Sequence, residues 1–352
     1  MAMTYLEVLT KALQMVQDTA GATYDKTTEM AYWIEESLKE LATYDPHIVE
    51  VIFKIESRTG TTTSATSLTD ATKDQFVAAD ATDEKVVHNT TDNTWAVVLA
   101  NSDLDVNTIS VDIMASGDSY KIYNKRCKNE KQIYIGDVAD YLWIDSVEYP
   151  LGTMRNFTVR GDILEIDVNA VQDSDSTLDP PNDIDVLVRF AKPHRLFQIT
   201  TLIGELTADE DKGDTRIAID GLTQAAGTVV EIGDEFHLEN HRTLYTVTAD
   251  TTLASGCGNI YIFPALEADA TDNDDITFTK STLKPQHEEL FCHLVAARAV
   301  LSNNINYINA NPTGGVDVWS RYQTWGERKL GEVLGKLSEL SSPRTSRVYP
   351  RG

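Results

Sequence analysis

The chain has 352 residues, more than one hydrophobic core usually serves, so two or three folding units are expected. Its 41% hydrophobic content is enough to build those cores and excludes a chain disordered throughout. With 30 Lys and Arg against 55 Asp and Glu the net charge is −25, a field that repels polyanions and argues against general binding of nucleic acid or of an anionic membrane.

The chain opens on Thr4-x-x-Glu7, a capping-box pattern in which hydroxyl and carboxylate satisfy the free amides of a first helical turn. Leu6, Leu9, Leu13 and Val16 then recur at helical spacing. After Gly21 a second segment places Trp33, Ile34, Leu38 and Leu41 on one face, until Asp45-Pro46 stops it. Two antiparallel helices are expected over residues 1–47.

From His47 the period drops to two. Val51, Phe53 and Ile55 alternate with Ile52, Lys54 and Glu56; Leu164, Ile166 and Val168 alternate with Glu165, Asp167 and Asn169; a third such run covers Ile184 to Phe190. These are half-buried strands of a β-sandwich-like domain over 48–200, and the polar, proline-bearing run Val171–Asp183 between the last two reads as a surface loop. Two stretches, about 58–123 and 201–282, resemble each other in the order and spacing of their short strands. Each reads as a small antiparallel barrel or sandwich inserted as a module.

Helical period returns after Lys284-Pro285 with Leu290, Leu294, Ala297 and Leu301 on one stripe. It resumes past Asn311-Pro312 and Gly314-Gly315 with Trp319, Tyr322, Leu330, Val333, Leu334 and Leu337. A helix with one apolar face must bury it, and the N-terminal pair is the evident partner for these helices over 283–340. From Arg321 onward seven Lys and Arg meet only three Glu, so residues 341–352 form an extended basic tail on an acidic body, suited to an acidic groove on a partner.

Residues that suggest chemistry are few. Cys127, Cys257 and Cys292 are far apart, have no Cys-x-x-Cys pattern and read as reduced thiols. The start lacks a basic region followed by an apolar core, and no apolar run is long enough to span a bilayer, so synthesis and folding in a cytoplasm are expected. Phosphate-loop, dinucleotide, nucleophile-elbow and zinc-helix signatures are absent from the sequence. His237-x-Glu239-x-His241 offers metal-ligand types, but in a strand its ends lie about 13 Å apart. The acidic runs at Asp173–Asp175, Asp209–Asp211 and Asp272–Asp275 lack the spaced calcium-loop pattern and read as solvated turns. His287, Glu288, Glu289 and His293 imitate an acid–base set, yet carboxylates in a first helical turn are explained by the helix dipole. Trp95, Trp143, Trp319 and Trp325 read as core or interface anchors. No catalytic residue, cofactor site or metal site is assigned.

The opening MTYLEVLTKALQMV, the segment WIEESLKELATYDP, the strand VLVRFAKPH, and the helices PQHEELFCHLVAARAVL and WSRYQTWGERKLGEVL together resemble the head-to-tail connector (adaptor) proteins of tailed bacteriophages. The resemblance covers most of the chain and is one of arrangement, without a diagnostic motif. It implies a helical bundle with an embedded β domain and a homo-oligomeric ring of about twelve copies below the portal, closed by cyclic symmetry. It also implies a C-terminal segment, here Ser341–Gly352, that docks on the portal protein, with Arg344, Arg347, Tyr349 and Arg351 as its anchors.

Sequence and resemblance together give an α+β protein: N- and C-terminal helices in one helical bundle, a β-sandwich-like domain and two inserted antiparallel β modules. The expected role is structural, without enzymatic activity, in the virion neck between capsid and tail. Its partners would be the portal protein and a tail or tail-nozzle protein, with double-stranded DNA passing through unbound and no membrane contact. A receptor- or glycan-binding tail or baseplate protein, or a polysaccharide-cleaving one with paired carboxylates, is the alternative.

Overall fold

A computed structural model describes residues 3–18, 23–64, 67–73, 75–171, 185–197, 203–222, 229–254, 256–307 and 316–340. These hold five helices and twenty-one strands. The described residues divide into two compact units, one comprising 3–49, 140–143 and 190–340, the other the rest, and their elements include a sheet of four strands. In order these strands are β1 (His47–Lys54), β13 (Asp185–Lys192), β9 (Trp143–Glu148) and β10 (Met154–Arg155).

In the first unit, α1 (Tyr5–Met15) starts at the Thr4–Glu7 capping box, with the Glu7 amide donating to Thr4 Oγ1 at 3.2 Å and the Thr4 amide to Glu7 Oε2 at 2.7 Å. The face it buries is Val8, Leu9, Ala12 and Leu13, while Leu6, expected on the stripe, is 66% exposed. Helix α2 (Glu29–Tyr44) buries Met30, Ile34 and Leu41. Helix α4 (Glu288–Tyr307) is buried on nearly every side from Phe291 to Val300, wider than the single stripe expected, because α1, α2 and α5 (Val316–Leu340) all pack on it. Where α5 crosses, a Cβ on Gly326 would stand 3.1 Å from Leu301, so the helices meet with glycine at the contact. Residues of all four helices form one apolar core.

The same unit contains a closed barrel of β14 (Ile203–Leu206), β15 (Arg216–Asp220), β20 (Gly258–Phe263), β18 (Leu244–Val247), β17 (Glu235–Leu238) and β21 (Asp275–Phe278), antiparallel throughout. Strict alternation fills it: Ile217, Ile219, Phe236, Leu238, Tyr245, Val247, Ile260, Ile262, Ile276 and Phe278 point inward and are buried. A two-stranded ribbon, β16 (Val229–Val230) with β19 (Thr251–Thr252), accompanies it.

The second unit holds an open six-stranded sheet, in order β2 (Thr59–Thr61), β7 (Ser119–Tyr123), β4 (Val86–Asn89), β5 (Thr94–Asp103), β6 (Val106–Ile109) and β3 (Leu68–Thr69), with the short helix α3 (Ala79–Thr82) beside it. Its core is Leu68, Phe76, Val87, Val98, Met114, Tyr120 and Ile122. A three-stranded sheet follows, β11 (Phe157–Arg160), β12 (Ile163–Ile166) and β8 (Gln132–Tyr134).

The expected α+β protein built on a helical bundle is therefore corrected: strands dominate, with an open six-stranded sheet over residues 59–123 and a closed barrel over residues 203–278. The physical reason is strand pairing. Short twisted strands that find a hydrogen-bonded neighbour on each side close on their own core, so the β regions do not need the helices as a platform. Among the described residues no helix is long and apolar enough to cross a membrane.

Candidate functional site

Arg344, Arg347, Tyr349 and Arg351 lie outside the described residues, as do the 172–184 stretch with its Asp173–Asp175 run and the Asn311–Gly315 break. The other singled-out residues go to separate partners. His241 Nδ1 meets Tyr245 Oη at 2.6 Å, whereas Glu239 Oε2 accepts from the Asp275 amide at 3.2 Å. Glu288 Oε1 accepts from the Met3 amide at 2.8 Å, and His293 lies 3.8 Å from Glu289. Trp325 packs on the helical core, and Trp95 stands 39% exposed, stacked on His88 with ring centroids 3.9 Å apart. Burial pushes the thiols of Cys127 and Cys292 up to about 12 and about 11, so both stay protonated and inert at neutral pH. No group of three His, Cys, Asp or Glu side chains among the described residues could hold a metal ion.

Sequence reasoning missed two buried polar centres. The first, in the helix-and-barrel unit, gathers around Asp45 at the end of α2. Lys284 Nζ donates to both carboxylate oxygens of Asp45 at 2.7 and 2.9 Å, and His287 Nδ1 lies 3.0 Å from Oδ2. His194 Nε2 stands 2.9 Å from the Asp45 carbonyl oxygen, which only accepts, so this nitrogen carries the proton; its Nδ1, 3.1 Å from Thr282 Oγ1, is then the acceptor. His47 Nε2 donates in the same way to the Gly233 carbonyl at 3.1 Å. Gly233 is required there: its φ is +97°, and a Cβ would come within 2.9 Å of Val49. Beside it Arg195 reaches Glu231 at 2.8 Å and the fully buried Asp234 at 3.1 Å. The cluster thus ties the end of α2, the segment after β13, the turn before β17 and the approach to α4.

This centre sets a pH response. Burial, reinforced by the neighbouring His194, holds His47 down at about 4, and burial likewise lowers His194. Between about 4 and 6.5 the unfolded chain binds a proton at residue 47 that the folded chain refuses, so this contribution is complete above 6.5 and lost as pH falls towards 4. Asp234 has the opposite sign: burial lifts it to about 7 against the pull of Arg195, giving stability present at low pH and lost as pH rises through 7. Urea unfolding of His47→Gln followed by tryptophan fluorescence is expected to fall less between pH 6.5 and 4.5 than that of the parent, by a difference of about 2 kcal/mol. Parallel profiles would refute it.

The second centre, in the other unit, surrounds Arg58, which is 5% exposed. Nε and Nη2 donate to Glu56 Oε1 and Oε2, both at 2.9 Å; Nη1 donates to Asp80 Oδ2 at 3.1 Å and to the Gln75 carbonyl at 2.6 Å; Nη2 also reaches Asp80 Oδ1 at 2.5 Å. All five guanidinium N–H groups are used. Burial opposes the charged form, but Glu56 and Asp80 outweigh it and hold Arg58 above its ordinary value. A second set adjoins it: Tyr120 Oη donates to Asp70 Oδ2 at 2.6 Å and accepts from Gln75 Nε2 at 2.7 Å. A Cβ at Gly60 would fall 2.2 Å from that Asp70 oxygen, so the chain carries glycine there.

Both centres hold segments of the chain together, and neither offers a paired nucleophile and base. No known protein family, characterised protein or solved structure matches the chain.

Proposed function

We propose that this chain is a structural virion protein of a tailed phage, a ring-forming adaptor that joins the portal to the tail and lines the channel through which DNA leaves. The observation that supports the reading most is that α1 and α2, from the start of the chain, and α4 and α5, from its end, share one apolar core. Packing of the first and last helices on one core is an arrangement that the resemblance to head-to-tail connectors implies. The charge of −25 suits the role, because an acidic lining keeps a moving DNA backbone from sticking. In this reading the protein sits in the virion neck and has no catalytic task.

The basic tail is the portal-docking element, with Arg344, Arg347, Tyr349 and Arg351 fixing register through charge-assisted hydrogen bonds and stacking. Truncation after Leu340 is expected to leave folding and melting temperature unchanged and to abolish co-sedimentation with purified portal. Unchanged assembly of the truncated chain would remove that role. The exposed Trp95, stacked on His88, favours a second reading as a glycan-binding tail protein. Subunit counts from electron micrographs separate the two, since a tail or baseplate binder has three- or sixfold symmetry.

A further inference from the structure

We infer that copies of this chain join head to tail through two oppositely charged surfaces: the open face of the three-stranded sheet β8–β12–β11 on one copy and the acidic rim of the barrel on the next. The inference rests on the ring-forming reading and supplies a contact for it.

Against the acidic background of the chain, residues 121–131 carry five Lys and Arg and one Glu. The fold brings the end of this run to the three-stranded sheet. Its register pairs Arg160 with Ile163, Ile163 with Tyr134, Thr158 with Glu165 and Glu165 with Gln132. Alternation turns these side chains to the face opposite the buried Ile133 and Leu164. Arg126, Lys128 and Arg160 converge there on a shallow cavity of about 210 Å³ that also touches Ile163 and Gln132. Among the described residues Lys128 and Arg160 have no ion-pair partner, and Arg126 meets only the exposed Asp162, at 3.8 Å. The Arg126 guanidinium lies over the Tyr134 ring, 5.4 Å from its centroid, which orients it without neutralising it. Three cations are thus held on a sheet with little to discharge them.

The complementary surface is on the barrel. The loops joining β14 to β15 and β20 to β21 are zipped together: Glu210 and Ala270 exchange backbone hydrogen bonds of 3.0 and 2.9 Å, the Asp272 amide donates to Asp209 Oδ1, and the Lys212 amide to Asp269 Oδ1. Asp209, Asp211, Asp269 and Asp272 are left exposed on one rim with Lys212 as the cation among them. Two different patches that fit one another let a copy bind a second copy through one patch and a third through the other, and repetition of such a contact gives a ring or an open filament. Attraction of this kind steers association and fixes register, and salt weakens it. Duplex DNA is a poorer occupant of the sheet face, because Glu165 stands within the cluster and the whole chain repels a polyanion at a distance.

The test uses the full chain and two charge-reversed variants, R126E/K128E/R160E on the sheet face and D209K/D211K/D272K on the barrel rim. All six positions are on the surface, and circular dichroism verifies the fold of each variant. In sedimentation velocity at low salt the parent should self-associate, and about 0.5 M salt should weaken it at least about tenfold. Each variant alone should stay monomeric, and their equimolar mixture should assemble again, because each then presents the charge the other lacks. Parent-like assembly of the first variant, failure of the mixture, a monomeric parent, or binding of a duplex oligonucleotide that the first variant loses would each overturn the contact. Electron micrographs keep the two readings apart. Rings that persist in the first variant leave the adaptor reading standing without this contact, whereas salt-sensitive filaments without rings retain the contact and remove the adaptor.

Discussion

Arg58→Leu is expected to cost the open-sheet unit about 3–5 kcal/mol, because it leaves two buried carboxylates without their counter-charge. Glu56 and Asp80 are 7% and 0% exposed, and together they accept four of the five hydrogen bonds that the Arg58 guanidinium donates. What remains after the substitution is partial: Asn107 Nδ2 and the Val77 amide still donate to Asp80 at 3.1 and 3.2 Å, and Lys85 stays 3.7 Å from Glu56. Neither group neutralises Asp80. Lysine is a poor substitute at this position, since three donors on a point charge cannot serve two carboxylates and a carbonyl held in fork geometry. Combining Arg58→Leu with Glu56→Gln and Asp80→Asn should recover much of the loss, because no buried charge is then left alone. Hydrogen exchange across β4, β5 and β7 is the measurement; protection within about 1 kcal/mol of the parent in the single variant would show that the charges are not buried as described.

Phe236→Ala is the matching experiment in the barrel. Phe236 is fully buried, faces Tyr245 on one neighbouring strand and Phe278 on the other, and its ring centroid lies 5.5 and 5.4 Å from theirs. Removing it empties the centre of a closed sheet that cannot collapse without breaking a ladder, so the cost should fall at the upper end of about 3–5 kcal/mol. Tyr261→Ala, on the outer face at 47% exposure, should change stability by no more than about 0.5 kcal/mol. Equal denaturant midpoints for the two variants would mean that the barrel interior is not packed as described.

How far the sequence revealed this architecture depends on the range of the interactions involved. The Thr4–Glu7 cap spans three residues, and it is present with both of its hydrogen bonds. Period-two alternation put Leu164 and Ile166 inward, as they are. Barrel closure is a different matter: it depends on β14 pairing with β21, some seventy residues away, and alternation alone leaves barrel and sandwich open. Glu56 read as an outward position of a strand and is buried, because β1 ends at Lys54 and the chain turns to place Glu56 and Arg58 against Asp80. His47, His194 and Asp234 gave no local signal at all, since their centre is assembled from segments nearly two hundred residues apart.

The closed barrel also governs how copies tolerate crowding. Every strand in it has a neighbour on both sides, and the six-stranded sheet ends on β2 and β3, which are three and two residues long. Backbone amides and carbonyls at the borders of these two sheets are too few to template another chain, so neither sheet invites growth of cross-strand fibres. Neighbours pressed against these surfaces must be chosen by side chains, and surface substitutions can retune that choice without touching either core.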